Sequence, residues 1–386
     1  MRIAHIITRM IIGGAQENTL YNCLDLIQEH NDDVLLITGP ALGPEGDLLD
    51  QGRAGDLPVK KIDSLRRAIH PLNDWNAKRE ITQALKEFQP DVVHTHSAKG
   101  GLLGRHCAWK LGVPAVIHTV HGAPFHPYQP ALARDFFRRC ERWAAKRCHK
   151  LISVADAMTD LMVDAKVAPR EKFKTIYSGM DVVPFTDANQ HRQQIRDKYG
   201  IRPDDVVIGK IARLFHLKGH EDLISAAQSV IAACPQVRFM LVGDGILKDD
   251  LQSQIQELGL KDNFIFTGLV PPSEVPKLIG AMDALVHTSF REGLARALPQ
   301  ALISGIPVVS YDVDGAREVT ITNETGFLIP PRDINGLSIA LTKLAQDSAL
   351  RDKLGREGQS RFTEQFRHQN MTREVRQLYK HVMAKN

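Results

Sequence analysis

The chain lacks the features that would place it in several large functional classes. Its 386 residues hold only five cysteines, Cys23, Cys107, Cys140, Cys148 and Cys234, an odd number with no C-x-x-C pair. That disfavours a disulfide framework, and reduced thiols in a cytosolic protein are the economical reading. No apolar run approaches the ~18 residues that cross a bilayer, and the opening MRIAHIIT is too short for the apolar core of a signal peptide. These absences predict a cytoplasmic protein. A formal charge of +4 without a dense basic tail argues against nucleic-acid binding, while phosphorylated small molecules and anionic surfaces stay open as partners. Neither G-x-G-x-x-G nor G-x-x-x-x-G-K-[ST] occurs, which disfavours a dinucleotide oxidoreductase and a P-loop NTPase. Sixteen histidines include the pairs His94/His96 and His118/His121, but no H-E-x-x-H or H-x-x-E-H accompanies them to complete a metal site. No metal and no cofactor are expected.

What is present is rhythm. Hydrophobic content of 43% and charged content of 24% are those of an ordinary globular protein, long enough for two cores. Short β-branched runs predict strands at 2–8, 33–38, 91–94, 115–119, 150–154 and 174–177, separated by helical patterns at 15–29, 75–87, 101–111, 130–147 and 157–163. The polar stretch 178–201 reads as a linker with a short helix. A second alternating set follows, with strands at 206–212, 237–242, 264–267, 284–287 and 307–311 and helices at 219–233, 247–258, 274–281 and 294–304. The segment 363–383 is helical and basic, able to cap the second domain or to return to the first. This is an α/β chain of two consecutive parallel-sheet domains, with ligands expected in a cleft between the sheets' C-terminal edges.

The chemistry-bearing residues cluster at predicted strand ends. In SFREGLARALPQALISGIPVVS, residues 289–310, seven positions separate Glu292 from Gln300, and a helix is expected to begin between Gly293 and Leu294. Such a start offers backbone N–H groups to an anion, and the two side chains suit sugar hydroxyls. Arg213 and Lys218, in IARLFHLKGH, follow the first strand of the second set, where two cations suit a diphosphate; exposed loop charges are the plain alternative. Gly243 and Gly245, in VGDG, either form a tight turn or let a base approach the backbone. Gly13 and Gly14 precede the first helix and can admit a phosphate or a sugar. His121, in HTVHGAPFH, is placed as a hydrogen-bonding group at a cleft rim, or as a packing histidine.

Taken together, Gly13-Gly14, HTH at 94–96, TVHG at 119–122, Arg213 with Lys218, VGDG at 242–245 and REGLARALPQALISGIPVVS resemble the retaining glycosyltransferases of family GT4. The matches run in order from about residue 5 to the C-terminal helix. The resemblance implies the GT-B fold, two facing Rossmann-like domains spanning 1–180 (joined by about 368–386) and 181–367. It implies a UDP- or GDP-linked sugar donor and a glycan or lipid-linked acceptor, in polysaccharide or glycolipid biosynthesis. Arg213 and Lys218 would neutralise the diphosphate, Glu292 would bind the transferred sugar, and Gly293 and Leu294 would cap the phosphates. The family's second carboxylate, which holds the ribose, is replaced here by Gln300, an amide that both donates and accepts. His96 and Lys99 are assigned to the acceptor side. A nucleotide-sugar 2-epimerase of the same fold and a non-catalytic sugar-nucleotide binder are the competing readings.

One segment bears on location. ALARDFFRRCERWAAKRCHK, residues 131–150, mixes Phe136, Phe137 and Trp143 with Arg134, Arg138, Arg139, Arg142, Lys146 and Arg147. It reads either as a solvated helix packed on the first core or as a peripheral contact with an anionic membrane.

Overall fold

A computed structural model describes residues 1–43, 46–51 and 54–385. The chain forms two compact units, Met1–Met180 with Phe366–Asn386, and Asp181–Gln365.

The first unit alternates β1 (Arg2–Arg9), α1 (Gly14–Gln28), β2 (Asp33–Gly39), β3 (Val59–Lys61), α2 (Pro71–Phe88), β4 (Val92–His96), α3 (Ala98–Lys110), β5 (Ala115–Val120), α4 (Ala131–Ala145), β6 (Lys150–Ser153), α5 (Asp156–Asp164) and β7 (Phe173–Thr175). All pairings are parallel, in the order β3-β2-β1-β4-β5-β6-β7. The central strands are buried on both faces, which is why they read as near-continuous apolar runs.

The second unit begins with α6 (Val183–Thr186) and α7 (Arg192–Lys198). It continues through β8 (Val206–Ile211), α8 (His220–Ala233), β9 (Val237–Val242), α9 (Lys248–Glu257), β10 (Phe264–Gly268), α10 (Val275–Gly280), β11 (Ala284–His287), α11 (Ala297–Ile303), β12 (Val308–Tyr311), β13 (Gly326–Ile329), α12 (Ile334–Gln346) and α13 (Ser348–Phe362). Its sheet is also parallel, ordered β10-β9-β8-β11-β12-β13. The chain leaves β8 toward β9 on one side and later returns to β11 on the other. The loops after β8 and β11 therefore diverge and open a crevice at the carboxyl ends of those strands.

The last helix, α14 (His368–Met383), belongs to the first unit. It buries Met371, Val375, Tyr379 and Val382 in the same core as Leu20, Cys23 and Leu26 of α1. Its polar residues are equally committed. His368 and Thr372 contact Asp25 at 2.8 and 2.7 Å, and Arg376 donates to Asp32 at 2.7 Å. Burial would raise the Asp32 pKa, but hydrogen bonds from Arg376 and the N-terminal ammonium outweigh it and hold the carboxyl below its usual range.

Three expectations change. The short strand β3 was hidden by its two lysines, and β13 by its length of four residues. The stretch after Met180 carries two helices rather than one. Finally, α11 starts at Ala297 and not at Leu294, so Glu292, Gly293 and Leu294 lie in an irregular loop ahead of it. Tertiary hydrogen bonds to that loop, described next, replace the helical ones.

Candidate functional site

The second unit builds its site from the two loops at the β8/β11 switch point. Lys218 follows β8, and its Nζ lies 2.5 Å from Oε1 of Glu292, which follows β11. His287, at the end of β11, brings Nε2 to 3.5 Å from the same oxygen. Burial would raise the Glu292 pKa, but contacts with His287 and the charge of Lys218 push it far below the carboxylate range. The carboxylate is therefore ionised at any physiological pH. It can accept hydrogen bonds but has no proton to give.

The backbone around this pair is tied down. Phe290 donates its N–H to the Leu217 carbonyl at 2.9 Å. The Thr288 hydroxyl donates to the Gly219 carbonyl at 2.5 Å and accepts from Lys210 Nζ at 2.7 Å. From the other side, Asp314 Oδ2 accepts the Glu292 N–H at 2.7 Å, and Gly315 N–H donates to the Gly293 carbonyl at 3.0 Å. A loop with this many fixed partners does not need the helical bonds the sequence predicts for it.

Lys210 is the residue that sequence reasoning missed. It is fully buried in β8, and burial, reinforced by the Lys218 charge, lowers its pKa to about 7. A lysine inside VVIGKI, with apolar neighbours along a central parallel strand, was a visible signal of a buried charge. His287, Thr288 and Asp314 gave no comparable signal.

Arg213 is exposed at the start of the loop after β8, its guanidinium 4.9 Å from the centre of the Phe215 ring. The glycines of VGDG have a steric role beside it. A Cβ at Gly243 would stand 2.3 Å from the Ala212 carbonyl oxygen, and one at Gly245 would stand 2.4 Å from that of Leu214. Both have positive φ, 136° and 159°. Leu214 N–H donates to the Asp244 carbonyl at 3.0 Å, so the GDG turn and the Arg213 loop are stitched together at closest approach. Gln300 sits in α11, part-exposed, eight positions beyond Glu292.

The match to known families follows this geometry. Residues 12–183 match the family model described as Glycosyltransferase Family 4, and residues 191–361 match Glycosyl transferases group 1. The chain belongs to the GT4 glycosyltransferases. It is 29% identical over 355 residues to the Escherichia coli UDP-Gal:alpha-D-GlcNAc-diphosphoundecaprenol alpha-1,3-galactosyltransferase, covering 91% of this chain and 89% of the relative. It is 25% identical to the 2-deoxystreptamine glucosyltransferase of Streptomyces kanamyceticus, over 76% of this chain and 78% of that one. In fold it resembles the Anabaena protein HepE, solved in complex with UDP, with a TM-score of 0.82 at 22% identity, covering 98% and 100% of the two chains. The architecture is GT-B, and the relatives named here give the epimerase reading no support.

The first unit of this glycosyltransferase holds the remaining predicted residues. Gly13 caps α1 and Gly14 opens it; a Cβ at Gly13 would meet only the flexible Gln16 amide, at 2.8 Å. Lys99, expected ahead of a helix, lies within the first turn of α3, with Nζ 2.6 Å from Asp74 Oδ1 and 2.6 Å from the Ala68 carbonyl. An acceptor phosphate at Lys99 would have to compete with Asp74.

His96 and His121 join a larger buried array. His5 Nδ1 lies 3.0 Å from His96 Nε2, and His96 Nδ1 lies 3.1 Å from His121 Nε2. His94 uses Nδ1 toward the Tyr379 hydroxyl at 2.5 Å and Nε2 toward Thr119 at 2.7 Å. Burial lowers the pKa of His5 to about 3 and, with neighbouring histidines adding to it, lowers those of His94 and His96 well below the ordinary range. Among the described residues, His5, His94 and His96 form one group whose ligand atoms lie within 4.8 Å of one another. The nitrogens of His94 and His96 are already engaged with protein partners.

Proposed function

We propose that the enzyme transfers a sugar from a UDP- or GDP-linked donor to a hydroxyl acceptor with retention of configuration, in polysaccharide or glycolipid assembly. The observation that carries this reading is the Lys218–Glu292 pair at the β8/β11 switch point, with Arg213 on the same loop as Lys218. As the donor's glycosidic bond breaks, negative charge develops on the β-phosphate and positive charge at the anomeric carbon. Lys218 and Arg213 meet the first, and each such contact is worth about 2–4 kcal/mol in a preorganised site. Glu292 stays ionised and accepts from hydroxyls of the transferred sugar. Gln300 binds the ribose, and the N–H groups of Gly293 and Leu294 approach the phosphates. These roles require no metal.

The donor's arrival must exchange partners. Lys218 leaves Glu292 for the diphosphate, which frees Glu292 for the sugar, so one ion pair serves as a placeholder for both halves of the donor. The neighbouring carboxylate, Asp314, is engaged as the acceptor of the Glu292 N–H, and we favour a front-face route in which the departing phosphate takes the acceptor's proton. The kinship with an enzyme named for UDP-galactose and a diphosphoundecaprenol acceptor supports testing UDP-linked hexoses and lipid-linked acceptors first.

On the membrane question, α4 exposes Leu132 and Phe136, 88% and 51%, beside Arg134 and Arg139. We read this face as a peripheral contact with the inner, anionic leaflet; among the described residues, no helix is long and apolar enough to cross a membrane. A panel of UDP-, GDP- and ADP-linked sugars, scored for thermal shift and for release of nucleoside diphosphate with and without EDTA, tests the function. Binding without release from any donor, or release only with added metal, would overturn it.

A further inference from the structure

Among the described residues, Lys210 is the one lysine that is fully buried, on the central strand β8 of the second unit. Its Nζ has a single hydrogen-bond partner among them, the Thr288 hydroxyl at 2.7 Å. An ammonium group carries three N–H donors and no acceptor, so two of them would face a dry core unpaired. A neutral amine strands fewer donors and has no charge to desolvate.

The charged groups around it do not reverse that preference. Burial penalises the Lys210 charge most and the Lys218 charge adds to the penalty, while Glu292, Asp222 and Glu221 act in the other direction. Before the donor binds, Lys218 is paired with Glu292, and Asp222 accepts from the Tyr311 hydroxyl at 2.7 Å. The two histidines nearby, His220 and His287, are held neutral above pH ~7 by burial. The donor changes this balance. Its diphosphate brings two negative charges to the loops that follow β8 and β11. Lys210 stands behind both loops, because Thr288 donates in turn to the Gly219 carbonyl, next to Lys218, and precedes Glu292 on the β11 side. Added negative charge at close range raises the proton affinity of a buried amine.

We propose that Lys210 is a positioning residue that holds a neutral amine until the donor binds and then takes up a proton, placing a positive charge behind the diphosphate without touching it. As an ammonium it can only donate to Thr288, which keeps the Thr288 hydroxyl on Gly219 and ties the Lys218 loop to the Glu292 loop. The sign of the linkage follows. Lys210 titrates near pH 7 in the free protein and higher in the donor complex, so donor affinity weakens as the pH rises between the two values. The uptake rests on the glycosyl-transfer reading; the neutral amine does not.

Titration calorimetry of the full chain with UDP-glucose, in buffers of differing ionisation heat, counts the protons, since the diphosphate itself does not titrate near neutral pH. The expected result is uptake of about half a proton or more per donor at pH ~8, falling to near zero at pH ~5.5, where both states hold the proton. Lys210→Gln keeps an N–H for Thr288 but has no titrating group. It should bind the donor with no uptake and lose the pH dependence of Kd, which a merely structural role would not produce. Independently, ¹⁵Nζ spectroscopy of the chain labelled with ¹⁵N-lysine should show one lysine that is neutral at pH ~8 and becomes charged when UDP-glucose is added. Three results overturn the proposal: no uptake at pH ~8, the same uptake in Lys210→Gln, or no neutral lysine in the free protein. If Lys210→Gln does not fold, the uptake and the spectrum decide without it. Failure of every nucleotide-sugar to bind would remove the transferase reading and the uptake with it, and the neutral amine would still be judged on the spectrum of the free protein.

Discussion

Lys218 and Glu292 neutralise each other in the unliganded site, so each sets the other's behaviour on removal. Lys218→Met should lower transfer about a hundredfold or more while the fold persists. It should also let the Glu292 pKa rise, because burial then lacks the opposing Lys218 charge. The acid limb of the pH–rate profile, set by loss of the carboxylate, should move to higher pH in the variant. Steady-state kinetics across the acid range checks both effects. Lys210 gives a prediction of opposite sign. Its pKa falls from 10.5 to about 7 on folding, so the unfolded chain binds its proton more readily. The resulting destabilisation is nearly absent above pH about 10.5, grows as the pH falls, and is complete below about 7. The stability of Lys210→Met relative to the parent protein should therefore be higher near pH 7 than near pH 10.5, with the lost bond to Thr288 lowering it at both, as read from denaturant unfolding at the two pH values.

At the scale of elements, the loops carry the precision. Gly245→Ala places a methyl group against the Leu214 carbonyl at a backbone angle few residues adopt, and should cost about 2 kcal/mol or more in chemical denaturation. The α4 face makes a separate prediction. Phe136→Glu or Leu132→Glu should abolish low-salt sedimentation with anionic liposomes and leave the melting temperature unchanged, since both side chains are exposed. Much of this scale was legible. β9 and β11 fall where the apolar runs place them, because a buried parallel strand needs little beyond a run of apolar residues. The start of α11 was not legible, because Asp314 and Gly315, more than twenty residues along the chain, supply the bonds that hold Glu292 and Gly293 out of the helix. The His5 line was equally hidden. Nothing local in MRIAHIIT reports that β1 and β4 will be neighbours.

For the whole molecule, the return of α14 decides where the chain can be cut. Removing residues 366–386 uncovers the core around Leu20 and Leu26 and leaves Asp25 and Asp32 buried without their partners on α14. Calorimetry of such a truncation should lose the transition of the first unit and keep that of the second, which is continuous in sequence. Retention of both transitions would show that α14 is dispensable to the core it covers.

The same arrangement fixes an order of events during synthesis. Domains usually mature in the order in which they leave the ribosome. Here the second unit, complete by Gln365, can close its sheet while the first still lacks a helix encoded after it. The half that is translated earliest is thus finished last. Until α14 has been made, the core around Leu20 and Leu26 remains partly uncovered and open to capture by chaperones, so a stop codon just before α14 would damage the first unit more than the second.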